Sequence, residues 1–137
     1  MGPRVFVDAK ILRRHEKTVP KDTIVAYTVE NQDIVNFCKV RADDPDDAEL
    51  QAVAFAIREL SDRYPDFRIV TDNESVFSVI DGKNRKAGRK RPILLEILDE
   101  LEAKPSIGIE LLEKNPAHKA LNKYVREHPE TDSRTKL

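Results

Sequence analysis

The chain has 137 residues, of which 39% are apolar and 36% charged, with a formal net charge of −1. This length suits one domain able to bury roughly two-thirds of its unfolded surface, and the composition fits a soluble globular protein with a highly charged exterior. No apolar run approaches the roughly 20 residues of a spanning helix, which excludes a helical membrane protein.

Met1-Gly2-Pro3-Arg4 leads straight into apolar sequence without the features of a secretory signal, so a cytoplasmic location is expected. Val5 to Lys10 reads as a first strand. A basic connection (Arg13, Arg14, His15, Lys17) containing Pro20 precedes a second strand, Ile24 to Val29. Glu30-Asn31-Gln32-Asp33 supplies a turn into a third, Ile34 to Val40, and the three form an antiparallel meander. Cys38, the single cysteine, cannot form an internal disulfide and is expected to be a small buried thiol of that strand.

From Pro45 the period changes. Leu50, Val53, Ala54, Ile57 and Leu60 recur at three and four residues, the stripe of an amphipathic helix. Asp44 suits its cap, Pro45 its first position, and Asp46, Asp47 and Glu49 the positive end of its dipole. After Pro65, Phe67 to Thr71 reads as a strand feeding a brief helix, Asn73 to Asp81, closed by Gly82. Gly82 to Arg91 carries six basic residues out of ten and no acid, so an exposed loop or arm is expected. Leu94, Ile97, Leu98 and Leu101 mark another helix, broken at Pro105. Ile107 to Leu112 follows as a strand with Ile107, Ile109 and Leu111 inward. Ala117, Leu121, Tyr124 and Val125 share one face of a last helix, and a polar tail begins at Pro129.

The order β-β-β-α-β-α-α-β-α defines an α/β fold, a mixed five-stranded sheet with helices on both faces, because right-handed crossovers place the helices there. Residues 1–128 are expected to form one domain and 129–137 a mobile tail.

Three carboxylates stand out in this arrangement. Asp8 follows Val5-Phe6-Val7, Glu49 opens the first helix, and Asp72 lies where Arg68-Ile69-Val70-Thr71 stops being a strand. A carboxylate in such a setting must be hydrated, paired or metal-bound, since an isolated buried charge costs several kcal/mol. Together the three suggest a divalent-metal site.

The pieces Val5-Phe6-Val7-Asp8, Ala48-Glu49-Leu50-Gln51-Ala52-Val53 and Ile69-Val70-Thr71-Asp72-Asn73, followed by His118 and Ala120-Leu121-Asn122-Lys123-Tyr124-Val125-Arg126, resemble type 1 ribonuclease H and the wider ribonuclease H-like superfamily. The resemblance runs from Val5 to about His128 and implies the sheet order 3-2-1-4-5. It also implies a metal-dependent endonuclease that cleaves the RNA strand of RNA/DNA hybrids, with Mg²⁺ or Mn²⁺ as cofactor. Two such ions about 4 Å apart activate water and stabilise the leaving oxygen. Asp8 would bridge both ions, Glu49 and Asp72 would complete the set, and His118 would sit on a flexible loop to shuttle protons or release product. Lys10, Asn73 and the basic residues Lys83, Arg85, Lys86, Arg89, Lys90 and Arg91 are assigned to nucleic-acid contact, through counterion release from phosphate. A monomer is expected.

The family's fourth acid falls on Asn122, whose amide oxygen can reach a metal but brings no charge. Glu110 or Glu113 could substitute for it. Ala9 and Lys10 replace the small residues that follow the first aspartate, and Asp44-Pro45-Asp46-Asp47 replaces an asparagine-containing turn, where acids would repel phosphate. Two further readings stay open: a catalytically weak or inactive domain that binds nucleic acid or protein, and a nuclease acting on another structured nucleic acid.

Overall fold

The computed structural model describes residues 2–12, 20–32, 34–113 and 116–127. The strands β1 (Arg4–Ile11), β2 (Lys21–Val29) and β3 (Val35–Ala42) precede helix α1 (Pro45–Leu60). Strand β4 (Phe67–Thr71) is followed by α2 (Glu74–Asp81), the short α3 (Arg85–Gly88), α4 (Pro92–Ala103), β5 (Ile107–Leu111) and α5 (Pro116–Glu127). The sheet order is β3-β2-β1-β4-β5. The first three strands pair antiparallel, while β4 pairs parallel to both β1 and β5. The expected mixed sheet and its order are therefore present.

Alternation along the strands divides the core. Val5 and Val7 of β1, Val25 and Tyr27 of β2 and Ile69 of β4 join the large cluster that includes Leu50 and Ile57 of α1 and Leu94 and Ile97 of α4. Their neighbours point the other way, toward α5. Leu12, Ile24 and Ala26 pack with Leu121 and Val125, and Phe6 and Val70 pack with Ala117. Cover on both faces explains why β2 is buried without interruption from Thr23 to Val29.

Several local expectations hold in detail. Asp44 caps α1, accepting from the Asp47 amide at 2.8 Å, with Pro45 in the first turn. Asn73 caps α2 and Gly82 closes it. Asn31 occupies the turn after β2 with φ 67°, a left-handed conformation that asparagine tolerates. Others need correction. The basic stretch is not wholly a loop, because Asn84 caps α3 within it by accepting from the Ala87 amide. Gly88 lies so close to α4 that a Cβ there would stand 2.5 Å from Leu95 Cδ2. On β5, Ile107 is buried but Leu111 is 40% exposed, since this is an edge strand. Cys38 is only half-buried, because β3 is the other edge. The basic connection with Arg13, Arg14, His15 and Lys17, and the tail from Pro129, lie outside the described residues. Among the described residues no helix is long and apolar enough to cross a membrane.

Candidate metal centre

Pairing between β1 and β4 runs from Arg4 opposite Arg68 to Phe6 opposite Val70 and then stops. Two residues further along stand Asp8, still within β1, and Asp72, one residue past the end of β4. The same alternation that sends Phe6 toward α5 sends Asp8 there too, into the first turn of that helix. His118 Nδ1 lies 2.8 Å from Asp8 Oδ2. One ligand atom each from Asp8, Asp72 and His118 fall within 4.8 Å of one another, with Asp8 buried and the other two exposed. His118 belongs to α5 rather than to a loop, because Pro116 suits a first helical position and starts the helix two residues earlier. Its backbone is anchored by the fully buried Ala117.

Asn122 lies one turn further along α5. Its Oδ1 accepts from Lys10 Nζ at 3.2 Å, and its Nδ2 lies 3.2 Å from His118 Nε2. With its oxygen committed to the lysine, the amide donates to Nε2, and the imidazole then carries its proton on Nδ1 and donates it to Asp8. Lys10, Asn122, His118 and Asp8 thus form one hydrogen-bonded chain, which no local sequence signal announces.

Glu49 approaches from the opposite face of the sheet. It is 4% exposed, and its carboxylate accepts a hydrogen bond from the Thr71 hydroxyl. Thr71 Oγ1 in turn accepts from the Asn73 amide at 3.1 Å. Thr71 is a site residue that the sequence reading missed; the available signal was a β-branched hydroxyl at the end of a strand, immediately before an acid. Burial pushes the Glu49 carboxyl up to about 8, with the Thr71 bond opposing and the charges of Asp8, Asp72 and Asp46 reinforcing the shift. Burial also raises Asp8, against hydrogen bonds from His118 and the Ala9 amide. Carboxyls raised in this way release protons readily only when a cation replaces them, which makes the donor set chemically suited to a divalent ion. Glu110 is not available as a substitute ligand, because Arg4 and Arg68 bind its two oxygens at 2.6 and 2.9 Å and hold it below the usual carboxylate range.

The residues assigned to nucleic-acid contact separate into two groups. Lys10 is bound to Asn122, while Asn73 caps α2 and donates from Nδ2 to Asp46 Oδ1 at 3.0 Å. Arg85 bridges Asp99 and Glu102, and Arg91 grips both oxygens of Asp44 at 3.0 and 2.9 Å. That last pair holds the Asp44 carboxyl below its ordinary range and neutralises one of the acids in the turn before α1. Lys83, Lys86, Arg89 and Lys90 remain exposed.

This sheet order, with the acids gathered where β1 and β4 part, defines a ribonuclease H-like fold. No protein-family model matches the sequence, and no curated protein does. Solved structures do match. RNase H1 from the halophilic archaeon Halobacterium salinarum aligns over 90% of this chain and 99% of its own, at 18% identity and TM-score 0.59. LC11-RNase H1, isolated from compost by a metagenomic approach and solved in complex with an RNA/DNA hybrid, aligns over 90% of this chain and 99% of its own, at 13% identity and TM-score 0.66. The foamy viral protease-reverse transcriptase, also solved with an RNA/DNA hybrid, aligns over 89% of this chain but 19% of its own, at 16% identity and TM-score 0.65.

Proposed function

We propose that this chain is a metal-dependent endonuclease of the ribonuclease H type that hydrolyses the RNA strand of RNA/DNA hybrids. The observation that carries the reading is the convergence of Asp8, Asp72 and His118 within 4.8 Å at the point where β1 and β4 separate. Asp8, Asp72 and Glu49 would hold divalent cations, which when bound supply a water activated near neutral pH and stabilise the charge of the leaving oxygen. Thr71 holds the Glu49 carboxyl by a hydrogen bond, and a bound cation would favour its ionised form. The exposed Lys83, Lys86, Arg89 and Lys90 would hold the phosphate backbone without reading sequence. The proposed unit is a monomeric domain of residues 1–128 with a polar tail.

Labelled RNA/DNA hybrid incubated in Mg²⁺ and in Mn²⁺ tests the proposal. Cleavage that Asp8→Asn and Asp72→Asn each reduce by at least about a thousandfold is the expected result; activity persisting in either variant sinks the assignment. A second reading rests on Asn122, a neutral amide at the position to which the sequence resemblance assigns the family's fourth acid, tied to Lys10 and His118. It makes the chain a ribonuclease H-like domain that binds hybrid without cutting it, and retention of hybrid with no cleavage in either metal would favour it.

A further inference from the structure

We propose that His118 is itself a metal ligand, so that Asp8, Asp72 and His118 form a two-carboxylate, one-imidazole set that selects a transition ion such as Mn²⁺ over Mg²⁺. This rests on reading the acids as a metal site, and it adds an imidazole to the ligand set expected from sequence, in which Asp8, Glu49, Asp72 and Asn122 all offered oxygen.

The geometry carries the argument. In a six-coordinate shell with bonds of about 2.1 Å, adjacent donors stand about 3.0 Å apart and opposite ones about 4.2 Å. His118 Nδ1 already lies 2.8 Å from Asp8 Oδ2, and the whole group lies within 4.8 Å, so sub-ångström shifts bring all three onto one ion. Glu49, bonded to Thr71 across the sheet, stands apart from this group and remains a ligand for the cations of the same site. A helix rather than a loop presents His118, with Ala117 and Leu121 packed beneath it, so the imidazole is positioned as ligands are. Its second nitrogen has the outer partner that ligating histidines have, Asn122 at 3.2 Å. On coordination through Nδ1 the ring keeps its one proton by moving it to Nε2. The Asn122 amide turns over to accept it on Oδ1 and gives up Lys10.

The nitrogen sets the preference. Mg²⁺ takes oxygen ligands and keeps much of its water, whereas imidazole suits the later first-row ions and divalent affinity rises from Mn²⁺ toward Cu²⁺. The full chain titrated with Mn²⁺, followed by electron spin resonance and with Mg²⁺ as competitor, tests this directly. Wild type is expected to bind Mn²⁺ with a ¹⁴N modulation in the spin-echo signal. His118→Gln, at an exposed helical position, should lose that modulation and weaken Mn²⁺ by at least about tenfold while changing Mg²⁺ by less than about twofold. Circular dichroism of the same samples verifies that the variant is folded, and His118→Asn provides a second variant if it is not. Mn²⁺ bound without ¹⁴N coupling, and lost in Asp8→Asn, would overturn the ligand role of His118 while leaving the metal site in place. Mn²⁺ binding that is absent, or indifferent to Asp8→Asn, would overturn both.

Discussion

The two faces of the sheet are built to different strengths. Against the first lie α1, α2 and α4, and their apolar stripes merge with the strands into one continuous cluster. Against the second lies α5 with two small apolar patches, one around Leu121 and Val125 and one around Ala117. The acids record the difference. Glu49, on the thick side, is desolvated enough to carry its proton up to about 8, while Asp8, on the thin side, faces an imidazole whose side chain is 61% exposed. A single covering helix leaves room for polar groups at its first turn, and that is where the exposed Asp72 and His118 stand beside the buried Asp8.

The largest test of this comparison is truncation on each face. Ile57→Ala should cost about 3.5 kcal/mol and Leu121→Ala about 2, because a thinly covered site collapses more easily around a cavity. Equal losses in chemical denaturation would remove the distinction. The pH dependence of the metal-free chain comes next. Glu49 binds its proton more tightly in the folded state than at its ordinary value of 4.5, so its contribution to stability is complete below that pH and drains away as pH rises through about 8. Denaturation midpoints should fall over that window, by on the order of 2 kcal/mol in stability, and Glu49→Gln should flatten the fall. A profile unchanged by Glu49→Gln would place the desolvated charge elsewhere.

Smaller effects sharpen the thin side. Asn122→Asp puts an acceptor carboxylate behind His118 and should raise Mn²⁺ affinity about tenfold by calorimetry. No gain would mean that Asn122 does not face the metal shell even indirectly. Arg91→Ala frees Asp44 in the turn before α1 and should cost under about 1 kcal/mol, since the pair is partly solvated. Its clearer readout is hybrid binding, which the exposed Asp44 charge should weaken most at low salt.

Where burial and period coincide, the sequence was readable. Alternation about Asp8, the stripe of α1 and the Asp44-Pro45 start all describe local geometry that one stretch of chain determines alone. Leu111 failed because alternation does not say which end of an edge strand has cover. The four-residue α3 has no apolar stripe to betray it, and only Asn84 marked its start. His118 was assigned to a loop although Pro116 already signalled a helix. The Lys10–Asn122 bond joins residues 112 positions apart, and the Glu49–Thr71 bond crosses from helix to strand, so neither leaves a trace in any window of sequence.

The contact between His118 and Asp8 joins residues 110 positions apart in a chain of 137. The entropic cost of such a closure grows only slowly with its span, but contacts this non-local form slowly, so it belongs late in folding. A chain still being synthesised, stopped at Leu112, already holds every strand and all three acids. What it has yet to receive is α5, and with it the His118 imidazole that meets Asp8.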